Sequence, residues 1–146
     1  DVPDDIPFTT FSTLFARFKG DLATLVQGAR AVEDLTDGSR VLIAEACSHH
    51  PVADDIGRVK IPRWLTQYTG MDVDYEVSVG HDFPDNLEDY DLVIHCGACM
   101  FGRREMIRRI RQCGRRGVPI TNYGVLISKV QGVLDRVIAP FEGKGL

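Results

Sequence analysis

Apolar residues recur along this chain at two periods, and the switch between them lays out its elements. From Thr10 to Leu35 they fall three and four apart, at Phe15, Phe18, Leu22, Leu25, Val26, Ala29 and Val32, which is the spacing of an amphipathic helix. Thr10 or Ser12 can cap that helix, and Gly20 and Gly28 weaken it without breaking it. Asp37-Gly38-Ser39 signals a turn, and Arg40–Ala46 has the unbroken apolar centre of a strand buried on both faces. Cys47 to Lys60 is polar and loop-like. Pro62 suits the first turn of a short helix that runs through Tyr68 and is closed by Gly70. Val73 to Val79 alternates, with Val73, Tyr75, Val77 and Val79 against Asp74, Glu76 and Ser78, and so predicts a strand with one wet face. After a turn-rich stretch from His81 to Asp89, Tyr90–His95 predicts another buried strand. Arg103–Arg116 then reads as a helix ended by Gly117, Val118–Thr121 as a short strand and Val125–Ile138 as a final helix.

Strands alternating with helical connections of this length predict an α/β domain. Its sheet is open, mostly parallel and of about four strands flanked by helices, Rossmann-like or flavodoxin-like, with an N-terminal helix in front. Residues 1–38 form an extended segment and helix that lead from a further part of the protein, and residues 39–146 form the α/β unit. Right-handed crossovers bring the strand-to-helix loops to one edge, where ligands sit in open sheets. Cys47 follows the first predicted strand, His95, Cys96 and Cys99 the third, and Asn122 and Tyr123 the fourth, so residues distant in sequence are expected to meet.

Composition narrows the setting. With 146 residues and 44 % apolar content the chain suffices for one domain with a buried core. A net charge of −4 excludes a generally basic nucleic-acid binder. No apolar run approaches the roughly 20 residues of a bilayer-spanning helix. The start, Asp1-Val2-Pro3-Asp4-Asp5, is acidic where a secretory leader is basic, which gives a cytoplasmic expectation. Because it does not open on Met, the chain also reads as a piece of a longer protein.

Candidate chemistry concentrates in Cys47-Ser48-His49-His50 and His95-Cys96-Gly97-Ala98-Cys99. A Cys-x-x-Cys lets two thiolates approach one metal, and a third thiolate from another loop fills three of four positions. Three cysteines without an obvious fourth favour an iron–sulfur cluster with one open or weakly held iron. A zinc site of three cysteines and a histidine fits the same spacing. A dithiol oxidoreductase is the weaker rival, since there the motif opens a helix and needs no third cysteine. Cys113 lies on the apolar stripe with Met106 and Ile110 and is expected in the core. His49, His50 and His95 are candidate ligands, donors to cluster sulfur or structural hydrogen bonders, whereas His81 sits in a turn-rich stretch and is incidental. Asp54 and Asp55 share the Cys47 loop and could reach an open iron, but read foremost as loop solvation or a turn. The helix after Cys99 carries seven arginines against Glu105 alone. Arg103 and Arg104 stand at its N-terminus, where peptide dipoles stabilise an anion by about 0.3–1 kcal/mol. Arg108, Arg109, Arg111, Arg115 and Arg116 form either a solvated face or a docking patch for an acidic partner.

On these residues the chain resembles the HydF family of [FeFe]-hydrogenase maturation GTPases, in its C-terminal iron–sulfur domain. The family pattern of Cys-x-His followed after a gap by His-Cys-x-x-Cys falls on Cys47 and His49, then on His95, Cys96 and Cys99. The likeness extends through Ile6-Pro7, residues 15–21, Asp55-Ile56-Gly57, residues 60–63 and Thr121-Asn122-Tyr123-Gly124. It implies a [4Fe-4S] cluster held by Cys47, Cys96 and Cys99 with an exchangeable fourth position, for which His49 and His95 are further candidate ligands. It implies a scaffold or carrier rather than an enzyme, holding a diiron precursor as transient cargo and delivering it to apo-[FeFe]-hydrogenase. The implied partners also include the radical-SAM maturases of the same pathway and the family's own GTPase and dimerisation domains, with a homodimer for the full-length protein. No Gly-x-x-x-x-Gly-Lys-Ser/Thr loop occurs here, and Gly143-Lys144-Gly145 is not one, so GTP hydrolysis is not assigned to these residues.

Overall fold

The structure, a computed structural model, describes residues 3, 5–6, 8–10, 13–14, 16–17, 21–45, 56–80, 82–96 and 102–142. Asp21 fixes where the first regular helix begins: its backbone is extended and its carboxylate accepts the Thr24 N–H, so α1 spans Leu22–Arg30. The helix expected to run unbroken from Thr10 to Leu35 is therefore interrupted. Residues 13–14 and 16–17 are helical, Asp21 is not, and Ala31–Asp34 tightens into a 3-10 turn. Aspartate competes for nearby backbone donors, a tendency that hydrophobic periodicity does not register.

Four parallel strands follow, β1 (Arg40–Glu45), β2 (Asp74–Val79), β3 (Leu92–His95) and β4 (Ile120–Asn122), side by side in the order β2-β1-β3-β4. Helices α2 (Ile61–Thr69) and α3 (Arg103–Arg115) connect them, and α4 (Tyr123–Val130) and α5 (Leu134–Ile138) come after the last strand. This is the expected α/β architecture. On one face of the sheet Leu42 and Val93 pack with Leu25 and Ala29 of α1, Met106, Ile110 and Cys113 of α3 and Val137 of α5. On the other, Val41, Ile43, Leu92 and Ile94 pack with Ile61 and Leu65 of α2 and Leu126 of α4. Burial on both faces is why β1 and β3 read as continuous apolar runs.

Three local expectations are revised. Val77, placed by the alternation on the dry face, is 41 % exposed, because β2 lies at the sheet edge and pairs with β1 alone. The stretch read as loop up to Lys60 includes a wide helical turn at Ile56–Lys60 that runs directly into α2. The final helix is two, parted at Gly132, whose φ of 76° is a left-handed conformation that suits glycine.

Helix α1 approaches β4 so closely at Gly28 that a Cβ there would lie 1.9 Å from the Ile120 carbonyl oxygen. Gly28→Ala should therefore lower stability by about 1–3 kcal/mol or more, since backbone would have to move. Gly114, in α3, has nothing within 4 Å of its would-be Cβ. Gly114→Ala should be neutral or stabilise by up to about 1 kcal/mol through helix propensity. Urea denaturation of the two variants checks the contrast, and a Gly28→Ala protein as stable as the parent would show that α1 can shift freely off β4.

Candidate metal centre at the strand ends

The order in which strands are added reverses between β1 and β3, since β2 lies to one side of that pair and β4 to the other. In open parallel sheets the ligand crevice lies outside the carboxyl ends of the strands at such a point. β1 ends at Glu45, two residues before Cys47, and β3 ends at His95, immediately before Cys96. The two ends are laced together by the Cys96 N–H, which donates to the Ala44 carbonyl at 2.9 Å. Cys96 is partly buried and packs against the core on the α3 side. Cys47, His49, His50, Asp54, Asp55 and Cys99 lie outside the described residues. Among the described residues no three His, Cys, Asp or Glu side chains group into a metal site.

His95 is 0 % exposed. Its Nδ1 faces the Cys96 carbonyl at 2.9 Å and its Nε2 faces Arg109 Nη1 at 2.9 Å. A carbonyl only accepts and a guanidinium only donates, so the two partners assign a neutral ring with its proton on Nδ1. Ligation of a metal through Nε2 would require the Arg109 donor to leave. Burial pushes the His95 pKa down to about 4; the Cys96 carbonyl opposes this and the Arg109 charge adds to it.

Arg109 is only 1 % exposed. It donates from Nε to Glu105 at 3.1 Å and from Nη2 to the Gly80 carbonyl at 2.9 Å, and its guanidinium lies over the Phe83 ring, 4.7 Å from the centroid. Gly80, just past β2, in turn donates its N–H to the Glu45 carbonyl at 2.7 Å. One side chain thus connects the ends of β1, β2 and β3. Burial lowers the Arg109 pKa, opposed by the Glu105 hydrogen bond and charge and, to a lesser extent, by the charge of a Cys96 thiolate. Glu105 is held down at about 2, first by the Arg108 hydrogen bond, with burial opposing and Arg109 assisting.

The expectation that Arg109 belongs to an exposed basic patch is overturned. It shares the buried stripe of α3 with Met106, Ile110 and Cys113, and its spacing from those three was the signal for that burial. Cys113 is in the core as expected, fully buried, with burial pushing its thiol up to about 12. Glu45 was missed altogether: it pairs bidentately with Arg58, both contacts at 3.1 Å, across the base of the segment that carries Cys47 and His49. Arg103 and Arg104 are exposed in the first turn of α3, after the Gly102 cap. With Ile107, Arg108, Arg111 and Arg115 they line an open groove of about 710 Å³ along the solvent side of the helix. Asn122, at the end of β4, caps α4 by accepting the Val125 N–H at 2.9 Å.

The sequence model of one protein family, described as the hydrogen maturase F tetramerization domain, matches residues 23–140. The chain belongs to that family. No curated protein matches it. The family places this chain in hydrogenase maturation and in an oligomer, and an assembly domain accords with a non-catalytic role. The description speaks of tetramers, where the resemblance implied a homodimer for the full-length protein.

Without metal, His95 should make the stability of the domain depend on pH. The ring has a folded pKa of about 4 against an ordinary 6.5, so the unfolded chain takes up the proton first as pH falls. The contribution is fully present above about pH 6.5 and is lost progressively toward pH 4, up to about 3 kcal/mol. Chemical denaturation at several pH values through this window checks it, and His95→Gln should flatten the slope. A parent protein with constant stability across the window would refute a buried neutral imidazole.

Proposed function

We propose that this chain is the cluster-binding scaffold of a HydF-family maturation protein, holding a [4Fe-4S] cluster through Cys47, Cys96 and Cys99 and a diiron precursor for delivery to apo-[FeFe]-hydrogenase. The observation that carries the reading is the position of Cys96 on the rim where β1 and β3 end, the strands that lead into the two cysteine-bearing segments. The donor set fits: soft thiolates suit iron and sulfide, and Cys113 is sealed in the core, so the fourth position falls to another ligand. When bound, the cluster would supply an iron open to exchange. Cys47, Cys96 and Cys99 would hold it, and His49 is the further candidate ligand. His95, with its ring nitrogens turned to Cys96 and Arg109, serves this reading better as an orienting group. The radical-SAM maturases and the GTPase and dimerisation domains would meet this domain in the cytoplasm, within an oligomer of like chains.

Anaerobic purification followed by metal and sulfide analysis tests the proposal. The expected result is about four iron and four sulfide per chain. Zinc without sulfide would mean a structural metal domain instead, and a metal-free reversible dithiol an oxidoreductase. Cys47→Ser, Cys96→Ser and Cys99→Ser should each lose most of the iron, while Cys113→Ala keeps it. Full retention in Cys47→Ser would eliminate the three-thiolate site.

The groove on α3 gives a second test. Replacing Arg103 and Arg104 with Gln should leave the cluster in place but weaken loading of an anionic precursor, with part of the loss removed by salt. Replacing Arg108, Arg111 and Arg115 should spare loading and slow transfer to the hydrogenase. Infrared bands of the precursor's carbonyl and cyanide ligands report loading, and hydrogenase activation reports transfer. If both sets leave both steps unchanged, the groove is a solvated face.

A further inference from the structure

Arg109 is a buried cation at a position that an apolar side chain would fill with less desolvation, since removing a charge from water costs several kcal/mol before its partners offset it. Its contacts show what the charge is set against. One arm runs from Nη2 to the Gly80 carbonyl, then from the Gly80 N–H to the Glu45 carbonyl, two residues short of Cys47. The other runs from Nη1 to His95 and from the His95 ring to the carbonyl of Cys96. Phe83 covers the guanidinium face and also lies 6.5 Å, centroid to centroid, from the His95 ring, which keeps an apolar wall beside the pair.

Resting on the cluster reading above, we propose that Arg109 is the positioning residue of the metal centre, tying the ends of β1 and β3, from which the two cysteine-bearing segments leave, to one fixed fork and holding a buried positive charge against His95, the residue next to Cys96. A thiolate-ligated cluster carries negative charge, and a cation in a poorly solvated setting acts on it more strongly than one on the surface. Glu105 offsets part of that cation, but its side chain is 27 % exposed and its field is better screened. Lysine is no substitute, because a single ammonium cannot hold the planar fork that meets His95 and Gly80 together.

The full chain, as parent, Arg109→Met, Arg109→Lys and Glu105→Gln, would be compared by three measurements. Ring nitrogen NMR shifts of His95 in metal-free protein read the tautomer, metal and sulfide analysis reads loading, and electron paramagnetic resonance at controlled potentials reads the cluster's reduction potential. The parent should show one Nδ1-protonated tautomer. Arg109→Met should lose that signature, bind several-fold less iron and hold its remaining cluster at a more negative potential. Arg109→Lys, whose ammonium also only donates but cannot meet His95 and Gly80 together, should keep the tautomer and a potential nearer the parent's but bind less iron. Glu105→Gln, which removes the offsetting negative charge, should keep its iron and shift the potential upward.

A folded Arg109→Met with parental tautomer, iron and potential overturns the proposal. If Arg109→Met does not fold, Glu105→Gln decides: an upward shift supports the charge coupling, and an unchanged potential overturns it. Failure of the cluster reading itself looks different, as a parent chain without iron and sulfide. The His95 ring nitrogen shifts in Arg109→Met then still judge the positioning arm, and parental shifts there overturn it.

Discussion

A guanidinium kept from water stays in place only if its neighbours replace the water, and the strand ends of this domain are arranged around that requirement. Parallel strands stop together and leave carbonyls at one edge without a next strand position to bond. Gly80 offers such a carbonyl to Arg109, the left-handed Gly80 backbone turns its own N–H back to Glu45, and His95 relays the other arm to Cys96. The arrangement depends in turn on α3 lying flat on the face formed by Leu42 and Val93, with Met106, Ile110 and Cys113 packed beneath it. Apolar burial sets the helix, the helix aims the arginine, and the arginine ties the ends of three strands.

The same helix carries two kinds of positive charge with different physics. Arg103, Arg104, Arg108, Arg111 and Arg115 face solvent along a groove, where salt screens them and lysine would serve nearly as well. Arg109, on the buried side of the same helix, is shielded from that screening. A mutation series that treated α3 as one basic surface would mix long-range attraction of a partner with fixed electrostatics at the strand ends.

The architecture was legible because β1 and β3 are buried on both faces and so read as unbroken apolar runs, while Gly70 and Gly117 closed their helices where expected. The place of Cys96 and the core role of Cys113 followed from the same pattern. What the pattern hid was polar. An arginine in an apolar stripe is taken for surface by its type, and only the packing of Phe83 and His95 around Arg109 reveals otherwise. The Glu45–Arg58 pair joins residues on either side of a long connection, which no local period encodes. Asp21 acts through a single backbone hydrogen bond, and Gly132 through its backbone angle. Cys47, His49 and Cys99 stand on spacing and resemblance, with Cys96 as the described member of the set.

On the cluster reading proposed above, the Glu45–Arg58 pair has a consequence for how cargo would be held. Joining the ends of a chain segment of this length costs about 2 kcal/mol of loop-closure entropy, which in small metal-dependent domains is borne by the ion itself. Here a carboxylate and a guanidinium perform the closure with protein groups alone, and β1 and α2, which flank the segment, have their own places in the core. A metal captured inside the segment need not hold it shut, and its departure need not open it. A carrier of the kind proposed above would have to be emptied without unfolding, and a segment fastened at its base by Glu45 and Arg58 would leave the sheet as it is when emptied.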